Sequence, residues 1–166
     1  TKKLWEEKLP PKLDSAMDLT FIVNELFVNP VQTFDDFSNA MGIGNNRYFL
    51  VKLTGVVDVI TEDDMIVQVN NFDTTMNVLL ATEYVYGNAI RDASGLLDIR
   101  DFSNTSDLNA ISEELNNRVR STVLPAFKQQ VKKGDRVEVT GAVEFNKEHI
   151  NLHQPEIIPI RLKIVQ

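Results

Sequence analysis

Two Arg-Asp pairs lie close together in the stretch GNAIRDASGLLDIRDFSN, residues 87–104, on either side of a small apolar patch. Charged and amide side chains make strong, directional hydrogen bonds, so a group of them can clasp a ligand or a protein partner. In this stretch the candidates for such a clasp are Arg91, Asp92, Asp101 and Asn104.

The same side chains could instead have a structural role. Arg91 and Asp101 would then brace the sheet against the helices, and Asn104 or Ser106 would cap the helix that follows. From the residues alone we favour the brace. The two interpretations differ in geometry, because the side chains of a brace bond to one another and to main chain, whereas those of a clasp point together at solvent.

We expect no metal, no cofactor and no catalytic residue anywhere in the chain. The two histidines, His149 and His153, fall on a predicted strand, which places them roughly 13 Å apart, too far to share a zinc ion. Adjacent carboxylates at 35–36, 63–64 and 113–114 are neighbours on turns or on a helix surface, so we predict that they are solvated. Cysteine is absent, which excludes a thiolate nucleophile.

The composition indicates a globular chain with a sizeable core and an acidic charge balance. It has 166 residues, 43% of them hydrophobic, and 17 Lys and Arg against 24 Asp and Glu give a net charge of −7. The basic residues are scattered, whereas nucleic-acid binding draws its affinity from clustered Lys and Arg. We therefore expect no nucleic-acid partner and no electrostatic attraction to anionic membranes.

The first 46 residues are predicted to be helical. Asp14 is the expected N-cap of the first long helix, and Pro30 ends that helix. The apolar residues of this helix recur at helical spacing: Leu19, Ile22, Val23 and Leu26. A second, shorter helix is predicted from Phe34, Phe37 and Met41, which also follow a helical period.

From residue 47 the period of the apolar residues changes from helical to alternating. The alternation predicts three strands, near 47–60, 65–70 and 75–81, which form a meander because only short turns separate them. Gly55 lies in the middle of the first strand, where we expect a bulge or a sharp bend.

A long helix and two further extended segments follow. The helix is predicted over about 107–131, and Pro125 should kink it or split it in two. A fourth strand is predicted near 135–145. The last segment contains Pro155 and Pro159, so we predict that it is irregular or an edge strand.

The order of these elements is that of an OB-fold barrel, with three meander strands, a helix and two returning strands. We therefore predict an α+β protein with an OB-fold-like small β-barrel (β-β-β-α-β-β) and an N-terminal helical segment. In this interpretation residues 1–46 pack on the barrel, and residues 47–166 form the barrel together with the long helix.

The sequence also resembles domain-of-unknown-function family 2291, a family of predicted periplasmic lipoproteins of bacteria. The match spans nearly the whole chain, from LPPKLDSAMDL after Trp5 to KKGDRVEVTGAVEF and the terminal IPIRL. Its most specific part is the order Gly-x-x-Ile-Arg-Asp, Asp-Phe-x-Asn and Leu-Asn-x-Arg. The residues that carry this order are Gly87, Ile90, Arg91, Asp92, Asp101, Phe102, Asn104, Leu115, Asn116 and Arg118.

The resemblance implies an OB-type barrel with an added helical part and a lipid-attachment cysteine before Thr1. The protein would then be periplasmic and would meet the membrane only through that lipid anchor. The resemblance also implies genes beside those of sugar ABC transporters, ribose-type ones among them, and no established activity. It adds Asn116 and Arg118 to the four residues of the opening stretch as candidates for binding a ligand or a partner.

Three hypotheses for the function follow. The first is a non-enzymatic cell-envelope lipoprotein that assists sugar uptake by contacting transporter components, and an exposed apolar patch would favour it. The alternative is a module that binds a small ligand or an oligosaccharide on the barrel face, which a concave pocket lined by Tyr and Asp would favour. The third is an enzyme, which would need a buried, facing pair of titratable groups in a cleft.

Overall fold

The computed structural model describes residues 1–166, and the first of them form a helical segment with two very short strands. The elements in order are a π-helical turn (Leu4–Lys8), α1 (Leu9–Asp14), β1 (Met17–Asp18), α2 (Leu19–Val28), α3 (Pro30–Phe37) and β2 (Ser38–Asn39). The segment is therefore mainly helical, as predicted.

Two details of this segment differ from the prediction. Asp14 is the last residue of α1, and Asp18 occupies the N-cap position of α2. α1 extends this far because its two prolines lie in the first turn of the helix, where proline is tolerated. Met41 lies outside α3, which ends at Phe37 because the chain becomes extended at Ser38.

Five longer strands close into a barrel. They are β3 (Asn46–Ile60), β4 (Asp64–Asn71), β5 (Thr74–Ala81), β6 (Arg136–Asn146) and β7 (Glu156–Val165). Around the ring the order is β3, β4, β5, β7, β6 and back to β3, and every pairing is antiparallel except that of β5 with β7. The three-strand meander and the two returning strands are thus confirmed.

β3 changes its neighbour near Gly55, where the sequence predicted a bend. Its first half pairs with β1 and β2, up to Lys52, and its second half pairs with β4 from Val56 onward. A Cβ atom at Gly55 would lie 2.5 Å from the main-chain oxygen of Gln68, so only glycine permits this close approach of the two strands.

β7 departs in part from its prediction as an irregular or edge strand. It is a regular strand of ten residues that closes the barrel by pairing with β5 at Glu156 and Ile157. From Ile158 onward it pairs with β6 alone, so this half is an edge as predicted. Pro159 lies next to a register shift in that ladder, a position that tolerates the missing N–H.

The helical region between β5 and β6 is longer and more divided than predicted. It contains α4 (Ala89–Ser94), a 3₁₀ turn (Ile99–Asp101), α5 (Thr105–Arg118), a π-helical turn (Val119–Val123) and α6 (Leu124–Gln130). Pro125 lies in the first turn of α6, so the predicted long helix is split before it. α4 was not predicted.

Helices close both ends of the barrel. At the end where β3 begins, α2 and α3 bury apolar side chains in the barrel core, and the rings of Phe34 and Phe49 lie 5.4 Å apart. At the end where β3 finishes, α6 buries Phe127, and the N–H of Gly134 donates to the carbonyl of Val57 at 2.7 Å. α2 and α3 therefore close one end of the barrel, and α6 closes the other.

A second apolar core lies on the outer surface of the barrel. It joins the first helical residues to α4, α5 and β7 through buried side chains: Leu4, Leu9, Leu13, Val85, Ile90, Leu115, Val119, Leu124 and Ile160. None of the helices combines the length and the apolar character that crossing a bilayer requires.

Candidate functional site

The joint, defined as residues 87–104, contains one buried ion pair. Arg91 and Asp92 lie on α4 and are each 6% exposed, and the Nε of Arg91 donates to Oδ1 of Asp92 at 2.7 Å. The remaining polar atoms turn inward as well. Nη1 of Arg91 donates to the carbonyl of Leu108 on α5 at 3.3 Å, and Oδ2 of Asp92 accepts from the N–H of Met41 at 3.3 Å.

α4 itself can lie close to the barrel because two small residues, one helical turn apart, face β6. Ala89 and Ala93 pack on Ala142 of β6, with Tyr48 of β3 beside them. Burial raises the pKa of the Tyr48 phenol, and the carboxylates of Glu144 and Asp92 raise it further, whereas Arg91 lowers it. Arg91 and Asp92 therefore lie at the contact of α4 with the outer wall of the barrel.

Asn116 is a second buried polar group that bonds inside the protein. It is 2% exposed, and its Nδ2 donates to the carbonyl of Gly87 at 2.9 Å. One helical turn earlier, the hydroxyl of Ser112 donates to Oδ1 of Asn88 at 3.1 Å. Both contacts hold the start of the joint against α5.

The other predicted site residues are separate from this pair. Asp101 lies on the exposed 3₁₀ turn and makes no hydrogen bond with Arg91, so its predicted role as a brace is wrong. Its neighbour Arg100 forms an exposed ion pair with Asp98. Asn104 caps α5, where its Oδ1 accepts from the N–H of Asp107 at 3.0 Å. Arg118 forms an i, i+4 contact with Glu114 at 3.4 Å on the helix surface.

The hydrogen bonds of the joint are those of a brace. Arg91 bonds to Asp92 and to the main chain of α5, and Asn116 on α5 bonds to the main chain of Gly87. These side chains therefore do not converge on an open cleft.

The two histidines also differ from the prediction, because His149 and His153 lie in the loop 147–155 and not on a strand. No group of three potential metal ligands comes together in the chain.

Sequence reasoning missed a surface at the end of the barrel where β3 begins. We call it the apolar tip and define it as four strongly exposed side chains: Phe27 (82%), Val28 (76%), Val31 (73%) and Phe72 (92%). They come from the end of α2, the start of α3 and the β4–β5 turn.

Two reciprocal amide hydrogen bonds hold the parts of the apolar tip together. Asn24 on α2 and Asn71 at the end of β4 exchange bonds of 2.9 and 3.2 Å. Phe27 and Val28 follow Asn24 by three and four residues, so they lie on the same side of α2. Phe72 is the next residue after Asn71. The bonds therefore bring the two phenylalanines to one end of the molecule.

The backbone of Phe72 is strained. Asn71 pairs with Thr74, so the hairpin has a two-residue turn, and Phe72 takes its first position with φ of 56°. Glycine is the usual residue at this conformation, which costs a bulky side chain about 1–2 kcal/mol. The two-residue turn between alternating strands, without glycine, is the signal that could have revealed this site from the sequence.

Two grooves lie side by side on the barrel wall, away from the apolar tip. The apolar one, of about 520 Å³, lies between the N-terminal helical residues and α6 and includes Trp5 and Phe127 in its lining. The polar one, of about 600 Å³, crosses β3, β6 and β7 and is lined mainly by charged and hydroxyl side chains. Leu13 and Arg161 line both grooves.

Comparison with solved structures identifies the class of protein. The chain is similar to the crystal structure of an OB-fold protein from Thermotoga maritima, with a TM-score of 0.85 and 26% sequence identity. The similarity covers 99% of this chain and 95% of that one. The protein is therefore an OB-fold barrel with an added N-terminal helical segment, as the order of its elements predicted.

The family follows from the sequence. The model of the family described as "Predicted periplasmic lipoprotein (DUF2291)" matches residues 1–163, and the chain belongs to that family. The resemblance noted in the sequence is thus confirmed, and the description agrees with the expected periplasmic location. A comparison with curated proteins found no match.

Proposed function

We propose that this protein is a lipid-anchored, non-enzymatic accessory of a sugar ABC transporter and that it works by binding a protein component of that transporter. The apolar tip is the observation that carries the proposal. Four apolar side chains that are at least 73% exposed lie at one end of the barrel, and exposed apolar side chains gathered in this way are typical of interaction sites.

Phe72 supports an external role for the apolar tip more strongly than exposure alone. The side chain is 92% exposed, so it contributes little to the core, and its backbone conformation opposes folding. A residue that destabilises the free chain and buries little within it is best explained by a contact made outside the chain.

The choice of partner rests on the resemblance and on the position of the apolar tip. The resemblance implies genes beside those of sugar ABC transporters, so we propose a binding protein or a permease as the partner. Trp5, close to the expected site of lipid attachment, lines the apolar groove together with residues of α6, and α6 lies at the opposite end of the barrel from α2. An anchored molecule could therefore present the apolar tip away from its attachment.

The proposal assigns no catalysis to the chain, because the buried ionic pair of the joint bonds internally instead of facing a cleft. The same geometry argues against a ligand clasp formed by Arg91, Asp92, Asp101, Asn104, Asn116 and Arg118. Arg91, Asp92 and Asn116 are better explained as supports for α4 and α5, and Asn104 as the cap of α5. Asp101 and Arg118 lie outside this network.

Binding measurements with purified transporter components test the proposal. The substrate-binding protein and the permease encoded beside the gene, the latter in nanodiscs, are titrated with the soluble chain and with Phe27→Ser/Phe72→Gly. We expect one component to bind the unmodified chain, and we expect the variant to bind at least about thirtyfold more weakly, as for an interface hot spot.

Ile99→Ser is the matched control, because it removes a partly exposed apolar side chain from the joint instead of the apolar tip. It should bind like the unmodified chain. Absence of binding to every component, or equal binding by the tip variant, would contradict the proposal.

A second candidate function is binding of a small polar ligand such as a sugar, which the polar groove favours. Asp14, Asp18, Glu138, Lys52 and Lys163 are among its lining residues, and such groups can hydrogen-bond to sugar hydroxyls. It contains no tyrosine or other aromatic ring, so the stacking surface expected of a pocket lined by Tyr and Asp is missing.

Thermal-shift screening against monosaccharides and short oligosaccharides distinguishes this candidate. Sub-millimolar stabilisation that Lys52→Ala abolishes, without capture of any transporter component, would favour the polar groove over the apolar tip. No stabilisation by any sugar would remove the second candidate.

A further inference from the structure

An unpaired strand edge borders the apolar groove on the barrel wall, which we call the β7 groove. Its volume is about 520 Å³. Residues of β7 from Ile160 to Ile164 form part of its lining, and the facing walls include Trp5, Val123 and Phe127. The groove is thus a slot between two helical walls with a strand along it.

Main-chain N–H and C=O groups along one edge of this part of β7 have no hydrogen-bond partner. From Ile158 onward the strand pairs with β6 alone, because β5 ends at Ala81, shortly after its pairing with Glu156 and Ile157. No main-chain hydrogen bond from a turn or loop reaches residues 158–165. Since main-chain groups of a strand point alternately to its two edges, about half of those in this segment face away from β6.

β7 alternates in character along this edge. Arg161 and Lys163 lie on the outer face, where they line the polar groove, whereas Leu162 and Ile164 pack against the barrel core. Arg161 already contacts Asp14 at 3.0 Å, and Lys163 lies across from Glu138 of β6, on the side away from the free edge. β7 itself therefore presents only basic side chains on the outer face of its free edge.

This alternation defines the chemistry of a strand that could add to β7. Side chains on the same face of neighbouring strands interact, and opposite charges stabilise the pairing. An added strand would place acidic side chains beside Arg161 and Lys163, and apolar side chains beside Leu162 and Ile164. No carboxylate lines the β7 groove to repel such a strand.

We propose that the β7 groove binds an extended segment of a partner polypeptide in which apolar and acidic residues alternate, and that the segment adds to the edge of β7 as a further strand. Main-chain hydrogen bonds would hold the segment, and Trp5, Val123 and Phe127 would cover its apolar side chains. The β7 groove is a second interaction surface, and its role does not depend on the apolar tip.

Synthetic peptides test the proposal directly. The probe is a ten-residue peptide of alternating valine and glutamate, and the comparison peptides are alternating valine and lysine, and a block of five valines followed by five glutamates. Isothermal titration should show binding of the alternating acidic peptide, and both comparison peptides should bind at least about tenfold more weakly.

Two matched variants place the binding in the β7 groove, and a third tests its charge preference. Ala126→Glu puts a long anionic side chain into the groove from an exposed position of α6, and it should abolish binding of the acidic peptide by blocking and repelling it. Ala110→Glu makes the same change on the exposed face of α5, outside the groove, and should leave binding unchanged. Lys163→Glu should reduce the preference for the glutamate peptide over the lysine peptide by at least about fivefold.

Amide hydrogen exchange supplies a readout that depends on strand addition itself. Bound acidic peptide should slow the exchange of alternate amides between Ile160 and Val165 and leave the amides of the β4–β5 turn unchanged. Binding that ignores peptide charge, binding that survives Ala126→Glu, or self-association of the free chain through this edge would each overturn the proposal. Phe27→Ser/Phe72→Gly should bind the peptide normally, so failure of the apolar tip leaves this test intact.

Discussion

The joint and the apolar tip reverse the usual distribution of polar and apolar side chains. In the joint, Arg91 and Asp92 are buried, and their polar atoms bond to each other and to main chain. At the apolar tip, Phe27 and Phe72 are exposed and Phe72 lies on strained backbone. The buried pair serves the architecture, whereas the exposed phenylalanines are the basis of the proposed contact with a partner protein.

The contrast shows that a concentration of charged residues in a sequence is a weak guide to a functional site. A buried ion pair gains little net stability over an apolar replacement, but loss of one partner leaves a charge without compensation. The conspicuous charges of the joint fit this role. Phe27 and Phe72 of the apolar tip, by contrast, belong to no motif in the sequence that singled them out.

The largest expected effect comes from Arg91. Arg91→Ala leaves the carboxylate of Asp92 buried without its ionic partner, and we expect a loss of about 3–5 kcal/mol in the free energy of unfolding. Arg100→Ala removes the exposed counterpart and should change stability by less than about 0.5 kcal/mol. Urea denaturation of both variants checks this, and equal losses would contradict the assignment of Arg91 as a buried brace.

Asn116 provides a second, smaller test of the joint. Asn116→Ala removes the hydrogen bond to the carbonyl of Gly87 and leaves that oxygen without a donor, so we expect a loss of about 1–3 kcal/mol. Asn117→Ala, at the exposed neighbouring position, should stay within about 0.5 kcal/mol of the unmodified chain. If both variants behave alike under urea, the Asn116 side chain does not hold the joint against α5.

A substitution at the apolar tip should raise the free energy of unfolding, whereas the substitutions in the joint lower it. Phe72→Gly relieves the positive φ angle and loses almost no buried area, so we expect a gain in stability of about 1 kcal/mol. Phe72→Ala keeps a Cβ atom in the same conformation and should not give this gain. Thermal unfolding followed by circular dichroism separates the two variants, and destabilisation by glycine would show that Phe72 stabilises the free chain.

The smallest effect concerns the exposed pair of Asp98 and Arg100. The hydrogen bonds from Arg100 hold the pKa of Asp98 at about 2, below its usual value of 3.8. The contribution of this pair to stability is therefore complete above about pH 4 and is lost as the pH falls through about 2.

Arg100→Ala should return the pKa of Asp98 toward 3.8. A carboxyl titration by NMR measures this shift, and Arg118→Ala serves as the control because it pairs with Glu114 instead. An unchanged pKa of Asp98 in Arg100→Ala would show that another group holds the carboxylate.

The barrel could be predicted from the sequence because apolar and polar residues alternate along its strands. The apolar residues of the helix predicted over about 107–131 also lie on one side of that helix. Asn104 was also foreseen as a possible cap of α5, and Pro125 as the point where the long helix divides. α4 could not be predicted, because a stretch of six residues that includes Arg91 and Asp92 has the composition of an exposed turn. Its burial depends on contacts with elements that are distant in the sequence.

Contacts between distant elements explain the remaining misses. The exposed state of Phe72 depends on the pairing of Asn71 with Thr74 and on the amide bonds that bring α2 beside the turn. The β7 groove depends on the end of β5, which leaves one edge of β7 free. Local patterns in the sequence contain neither of these arrangements.

Photocrosslinking in living cells tests the central claim most directly. A photoreactive phenylalanine analogue replaces Phe72 in one strain and Ile99 in another, in the protein expressed from its own gene. The account predicts that position 72 crosslinks to a component of a sugar ABC transporter and that position 99 does not. Crosslinks at both positions alike, or none to a transporter component from position 72, would contradict it.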